Sequence, residues 1–357
     1  MGRRVVLVTG GAGFVGSTLA LAFKRNHVDL DVVALDNLRR RGSELAIDRL
    51  RAGGVAFRHG DVRNPEDLAE AGPFDLLVEC SAEPSVHAGY GGSPAYVINT
   101  NLLGTVNCLE AARRQGADLV FLSTSRVYPI HALRALPLER RGGRLMLPAG
   151  ASGPGWSEAG IATGFPLAGR RSVYGATKLA SELLIEEFAA MYGLRAIVNR
   201  CGVLAGPWQM GKVDQGFVVL WAARHLFGGP LAYKGFGGEG AQVRDVLHVD
   251  DLCELVRIQV AAMDRVRSRV FNVGGGPAAS VSLAELTALC AERGTCRPAV
   301  AARPDTDPAD IPWYVSDNAE VTEATGWTPA RPMESLLDDV FAWLRAHRAA
   351  LEPILAS

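Results

Sequence analysis

The sequence predicts an α/β protein, a doubly wound parallel sheet carrying a smaller C-terminal domain. Short β-rich runs alternate with longer helical patterns through the first two hundred residues, a glycine cluster marks the first strand-to-helix junction, and the alternation decays beyond Gly206. Strict alternation implies βαβ units, and such sheets gather ligands at the carboxyl ends of their strands.

In chain order the expected strands are 5–9, 31–36, 55–59, 76–79, 119–123 and 196–200, with helical patterns at 17–25, 96–114 and 178–191 between them. Residues 129–169 are rich in Gly, Pro and Arg without sustained periodicity, and read as a long loop or insertion beside the site. Amphipathic helices are expected at 282–293 and 333–347. The expected division is a first domain over 1–205, including the insertion, and a second over 206–357, with about 242–262 returning to the first.

Lys+Arg 37 against Asp+Glu 38 leaves a net charge of −1 over 357 residues. That balance speaks against a surface built for nucleic acid or an anionic membrane. The apolar run 5–8 is too short for a membrane span or a secretory segment, so a cytoplasmic protein is expected. Cys80, Cys108, Cys201, Cys253, Cys290 and Cys296 show no metal-ligand spacing and read as reduced core thiols, with no metal expected.

The first strand runs straight into Gly10-Gly11-Ala12-Gly13-Phe14-Val15-Gly16 and then a helical pattern. Strand, glycine turn and helix in that order make a Rossmann-type dinucleotide fingerprint. Gly10 serves the tight turn, Gly13 lets the backbone approach a pyrophosphate, and Gly16 permits close helix packing; the helix N-terminus offers N–H groups to phosphates. Asp36, ending the second strand, suits both ribose hydroxyls and repels a 2′-phosphate, which favours NAD over NADP. Arg39, Arg40 and Arg41 follow it and are the groups that would rescue a 2′-phosphate. Asp61, after the third strand, suits the adenine amino group or the cap of the next helix.

Tyr174 and Lys178 stand four apart, on one face of a helix. A cation beside a phenol favours the phenolate and makes a usable general base. The hydroxyl-rich strand end Ser123-Thr124-Ser125 offers a partner for a substrate alcohol, and Thr124 fits that task better than its neighbours, which suit a plain polar strand terminus.

Together the Gly10 to Gly16 turn, Asp61-Val62, Asn101 in Thr100-Asn101-Leu102-Leu103-Gly104-Thr105, the Ser/Thr strand end and Tyr174 to Lys178 resemble the extended short-chain dehydrogenase/reductase family of nucleotide-sugar epimerases and dehydratases. Within it the segments 123–128, Asp214-Gln215-Gly216-Phe217 and 242–248 are most similar to the CDP-paratose (CDP-tyvelose) 2-epimerases. The resemblance implies catalytic roles for Tyr174, Lys178 and Thr124. It implies NAD contacts at Gly10, Gly13, Phe14, Val15, Asp36, Asn37, Asp61, Val62, Cys80, Ala82, Asn101, Ser123, Tyr174, Lys178, Cys201 and Val203. Nucleotide-sugar contacts fall on Glu83, Ser125, Arg126, Asn199, Gln215 and Arg244, with Arg244 matched to the diphosphate or else paired to Asp245 or Asp250. A homodimer through the helices bearing Asn101 and Tyr174 is also implied.

The family's 4,6-dehydratases carry an Asp-Glu pair directly after the active-site Thr, where this chain has Ser125 and Arg126. Departures from the family pattern are Glu83 in place of a neutral amide, Pro129 in place of a Gly, and the long basic insertion. The expected reaction is inversion of a sugar carbinol, C2 favoured, through a keto sugar and return of the same hydride. C4 inversion of a UDP-hexose, inversion of another nucleotide sugar such as an NDP-heptose, and a non-catalytic NAD-binding regulator are the alternatives.

Overall fold

The structure, a computed structural model, describes residues 4–211 and 215–355; residues 1–3 of the opening segment lie outside this range. Its main sheet has seven strands: β1 (Val5–Thr9), β2 (Asp31–Asp36), β3 (Ala56–His59), β4 (Leu76–Glu79), β5 (Asp118–Thr124), β6 (Ala196–Cys201) and β7 (Arg269–Val273). The order is β7-β6-β5-β4-β1-β2-β3. β1 pairs in parallel with both β2 and β4, and the β2/β3 and β4/β5 pairs are parallel too. The chain therefore winds outward in two directions from β1 and β4, and the crevice at their carboxyl ends is where such sheets bind ligands.

Three helices matter for the site. The first, α1 (Phe14–Asn26), follows the glycine turn. The second, α2 (Gly104–Gln115), continues a helical run from Ala95–Ile98 through a π turn over Asn99–Leu103. The third, α3 (Val173–Tyr192), starts five residues before the expected 178 because Ser172 caps it, its hydroxyl accepting from the Gly175 N–H at 3.2 Å. Aliphatic residues of β1, β4, β5 and β6 meet α2 and α3 in one buried cluster around Leu7, Leu77, Cys108, Leu119, Phe121, Ile185 and Val198. Strands buried on both faces explain why they read as unbroken apolar runs rather than alternating ones.

The chain forms two compact units. One comprises Met1–Val127, Ser172–Arg200 and Leu252–Phe271; the other comprises Tyr128–Arg171, Cys201–Asp251 and Asn272–Ser357. This partition differs from the one drawn from sequence: the second unit already takes up the chain at Cys201, and the return to the first runs on to Phe271. The stretch 129–169 groups with the second unit, and the return to the first begins at Leu252, because Val243–His248 is itself a strand of a separate sheet with Val203–Ala205, Ser280–Ser282 and Trp313–Tyr314.

Nor is 129–169 a structureless loop. It holds a helix at Ile130–Arg134 and two antiparallel pairs, Glu139–Arg141 with Arg144–Met146 and Trp156–Ser157 with Gly160–Ile161. Its arginines fasten it within the second unit. Arg134 donates to the carbonyls of Asp307 and Asp310, and Arg144 donates to the Ser280 hydroxyl at 2.6 Å. The Asn272 amide adds a bond to the Ile161 carbonyl at 2.7 Å.

Candidate functional site

Gly10 leaves β1 at φ +63°, and a Cβ there would lie 2.8 Å from the Cys80 and Ser81 backbone at the end of β4. A Cβ on Gly16 would lie 2.2 Å from the Gly10 carbonyl oxygen. These two positions tolerate only glycine, for the turn and for helix packing respectively. Gly11, to which the sequence reading assigned nothing, is equally constrained: its Cβ would lie 2.7 Å from Ala34, where β1 and β2 close on each other. Gly13 differs, since its Cβ would touch only the Gly10 carbonyl oxygen, at 3.0 Å, within 3.9 Å. It stands directly ahead of α1, its N–H donating to the Gly10 carbonyl at 2.9 Å and its carbonyl accepting from the Ser17 N–H at 2.9 Å. That helix opens with no capping side chain and no acidic residue in its first turn. Its first N–H groups, from Phe14 onward, have no intrahelical acceptor and sit at the positive end of the dipole.

Asp36 is aimed by the same turn, its carboxylate accepting from the Ala12 N–H at 3.1 Å and the Leu38 N–H at 2.8 Å. Burial raises its pKa against these bonds. The Asn37 amide donates to Asp61 at 2.8 Å. Asp61 also takes the Arg63 guanidinium through both oxygens, at 3.0 and 2.6 Å. Burial alone would raise the Asp61 pKa, but Arg63 and Asn37 outweigh it and hold it at about 2. The next helix, Pro65–Glu70, has Asn64 at its N-cap position, so Asp61 is not its cap. Arg39, one of the three arginines after Asp36, stacks 4.0 Å over the Tyr96 ring, and Arg63 lies 5.1 Å from the same centroid. Val62 is buried against the close approach at Gly104.

The reacting side chains are set by β5 and α3. Because Ser172 caps the helix, Tyr174 falls in its first turn and Lys178 one turn later on the same face. Both are buried, at 8% and 2% exposure. The Lys178 ammonium donates to the Leu122 carbonyl at 3.0 Å and lies 4.3 Å over the Phe121 ring. It is thus fastened to the strand that ends in Thr124. Thr124 is buried and accepts from the Arg126 N–H at 3.2 Å, closing a single 3-10 turn over Ser125–Val127.

Four expected site residues have other commitments. Ser123 faces opposite to Thr124, as strand alternation requires, and its hydroxyl donates to Glu182 of α3. Glu182 in turn holds the buried Arg200, at 2.7 Å. Asn101 spends its amide on a backbone clamp, accepting from the Glu83 N–H at 2.7 Å and donating to the Glu83 carbonyl at 3.0 Å. It therefore positions the 80–83 segment, with Cys80 and Ala82, through the π turn that turns it inward. Asn199 is fully buried and exchanges two 2.8 Å bonds with Gln259. Arg244 pairs with Asp310 at 3.1 Å and donates to the Ile311 carbonyl at 2.6 Å.

The Glu83 carboxylate accepts from the Ser85 N–H at 3.2 Å. Cys201 ends β6, and Val203 pairs with Val246 in the second sheet. Gln215 is half-buried beside Gly216; Asp214 lies outside the described residues. The sequence reading overlooked the Glu182–Arg200 pair and Glu79, a fully buried carboxyl at the end of β4. Their signal was charge inside otherwise apolar strand and helix faces.

Residues 6–274 match the NAD dependent epimerase/dehydratase family. The chain belongs to that family. NAD is the cofactor of this epimerase/dehydratase, and the glycine turn without side chains at Gly13, the uncapped start of α1 and the aimed Asp36 carboxylate fit it. The chain is 28% identical over 351 residues to CDP-paratose 2-epimerase of Salmonella typhi, covering 95% of this chain and 98% of that one. It is 30% identical over 254 residues to dTDP-glucose 4,6-dehydratase of Mycobacterium tuberculosis (strain CDC 1551 / Oshkosh), covering 71% and 67% respectively. The solved UDP-glucose 4-epimerase of Thermus thermophilus, a complex with NAD, aligns over 96% of this chain and 99% of that one, with a TM-score of 0.75 and 28% identity. Among the described residues of this family member, no helix is long and apolar enough to cross a membrane, and no His/Cys/Asp/Glu group could hold a metal ion.

Proposed function

We propose that this protein inverts a carbinol carbon of a nucleotide sugar, C2 favoured, and that CDP is the preferred nucleotide. The observation that carries epimerisation over dehydration is the turn after Thr124. Ser125, Arg126 and Val127 fill it without a carboxyl group, so expulsion of water from the sugar has no acid there to protonate the leaving hydroxyl.

Bound NAD would supply the acceptor for the hydride of the sugar carbon and, once reduced, its donor. The Gly10 to Gly16 turn and Asp36 would hold its pyrophosphate and ribose, with Asn37, Asp61 and Val62 at the adenine end. Tyr174 takes the proton of the sugar hydroxyl as the carbon becomes a planar ketone, and gives it back after the sugar has presented its other face. Lys178, fastened at the Leu122 carbonyl, supplies the positive charge that makes the Tyr174 phenolate accessible near neutral pH. Thr124 orients the hydroxyl. At C2 the reacting carbon neighbours the anomeric carbon, so rotation about the linkage to the diphosphate suffices to exchange faces. Glu83, Ser125, Arg126 and Gln215 are the proposed sugar contacts. Arg244, anchored on Asp310, is the proposed diphosphate contact.

The protein is further proposed to be a cytoplasmic homodimer through the helices bearing Asn101 and Tyr174. Leu103 and Leu183 on those helices are 49% and 57% exposed, and a paired copy would cover them.

Incubation with CDP-, UDP-, GDP- and ADP-sugars in deuterated solvent tests the reaction. Inversion at C2 without solvent deuterium supports the proposal; deuterium at the inverted carbon, or inversion confined to C4 of a UDP-hexose, refutes it. A protein that releases NAD on heating yet turns over none of these sugars fits the regulatory alternative.

A further inference from the structure

Behind the Tyr174–Lys178 face lies a buried polar group that the reaction as described does not use. Glu79 ends β4 at 0% exposure. The Thr105 hydroxyl of α2 lies 2.7 Å from its Oε1, while its Oε2 is buried without a hydrogen-bond partner. Glu79 stands in register with Phe121 of β5 on one side and with Thr9 of β1 on the other. Register partners project side by side from the same face of a sheet. Phe121 is the ring beneath the Lys178 ammonium, 4.3 Å from its centroid. The carboxyl of Glu79 and the ammonium of Lys178 therefore belong to the same side of the sheet, on adjacent strands, with α2 and α3 covering both.

Two buried ionisable groups so placed do not titrate independently. A lone ammonium at 2% exposure is driven toward its neutral form by loss of hydration, and a carboxylate on the same face opposes that drive. Burial raises the Glu79 pKa, and the charge of Lys178 followed by the Thr105 bond pulls it back. The other titratable groups on this face are Tyr174, the buried Glu182 of α3 with its partner Arg200, and Cys108 of α2, also fully buried. Burial, then the charge of Glu79, pushes its thiol well above the ordinary range, so it stays neutral. Thr9 and Thr105 are neutral as well, and Glu182 is bound to Arg200, whereas Glu79 brings a carboxyl whose Oε2 has no hydrogen-bond partner to the same face.

We propose that Glu79 is a positioning residue: a buried carboxyl that keeps Lys178 protonated and thereby maintains the charge against which Tyr174 works. The part concerning Tyr174 rests on the catalytic reading above; the coupling of Glu79 to Lys178 does not. A neutral amine at Lys178 would leave the phenol near its ordinary pKa of about 10, so that it could not serve as a base at neutral pH.

The chain has only four lysines, Lys24, Lys178, Lys212 and Lys234, so lysine labelled with 13C at Cε gives four resonances. K178M identifies the one in question. In the NAD-bound wild-type protein the Lys178 resonance is expected to remain that of the ammonium to about pH 10, the ordinary lysine range. In E79Q its proton affinity is expected to fall at least tenfold, and E79D is expected to restore most of it. A merely structural Glu79 would move none of these titrations. Deprotonation of wild-type Lys178 below about pH 9, or an E79Q titration identical to wild type, overturns the proposal. Should E79Q not fold, the wild-type titration decides alone. Turnover by Y174F would refute the catalytic reading while leaving the Glu79–Lys178 coupling measured, so the two failures are distinguishable.

Discussion

Asp245 offers a direct test of the energetics of the second unit. Its side chain is fully buried, with Oδ2 accepting from the Gly276 N–H at 3.3 Å and the Ser316 N–H at 3.1 Å. The surrounding backbone presses against it so closely that a Cβ on Gly274 would lie 1.9 Å from Oδ2. Burial raises its pKa from 3.8 to about 6, against the bonds from Ser316 and Gly276. In the unfolded chain the carboxyl reverts to about 3.9. Between these values the folded state binds the proton and the unfolded state does not, so stability falls as pH rises from about 4 to about 6 and is flat above that. A separation of about two units corresponds to roughly 3 kcal/mol. D245N keeps an oxygen for the two N–H groups and removes the ionisation. The quantity to measure is the difference in unfolding free energy between D245N and wild type by urea titration at intervals from pH 4.5 to 7.5. It should shift in favour of D245N by about 2 kcal/mol across that range, while all other titrating groups cancel. A difference that stays constant with pH would show that Asp245 is not held protonated by its surroundings.

Other outcomes follow from the site. Y174F should abolish turnover while NAD still co-purifies, read by product analysis and by absorbance of the heat-released cofactor; loss of NAD as well would contradict the assigned role. G16A places a Cβ against the Gly10 carbonyl oxygen and should lose NAD, whereas S172A, which removes the α3 cap, should cost about 1 kcal/mol in denaturant unfolding and lower turnover by loosening Tyr174. Replacing Leu103 and Leu183 together by Glu should give a folded monomer in sedimentation analysis, and unaltered mass would exclude that face as the dimer contact.

Sheet and cofactor turn were legible because their causes are local. The β1 run, the glycines and Asp36 each answer to their immediate neighbours, and strand boundaries such as Val5–Thr9, Asp31–Asp36 and Leu76–Glu79 coincide with the apolar runs. Tyr174 and Lys178 could be placed on one helix by spacing alone, but the start of that helix depended on Ser172, a cap standing before any visible periodicity. For Ser123, Asn101, Asn199 and Arg244 the sequence could not show a second commitment. Each carries a group able to meet a ligand, and each meets a protein partner distant in sequence: Glu182, Glu83, Gln259 and Asp310. Spacing says nothing of those partners. The stretch 129–169 escaped for the same cause, since its order comes from arginines that find acceptors more than a hundred residues away.

The division of the chain into two interleaved units also bears on synthesis. Unit one draws on three separate stretches, the last ending at Phe271, and unit two on three, the last beginning at Asn272. A ribosome moving from the N-terminus has therefore delivered three quarters of the chain before the first unit has all its residues. Throughout that interval β5 has no β6 beside it until residue 201 emerges, and β6 has no β7 until residue 273. The nascent protein thus carries an open apolar sheet edge from the emergence of residue 124 to that of residue 273, a state prone to pairing with other chains. Cutting the gene at the edge of the dinucleotide turn's own domain would make that state permanent, so the cofactor half is not expected to survive as an isolated fragment.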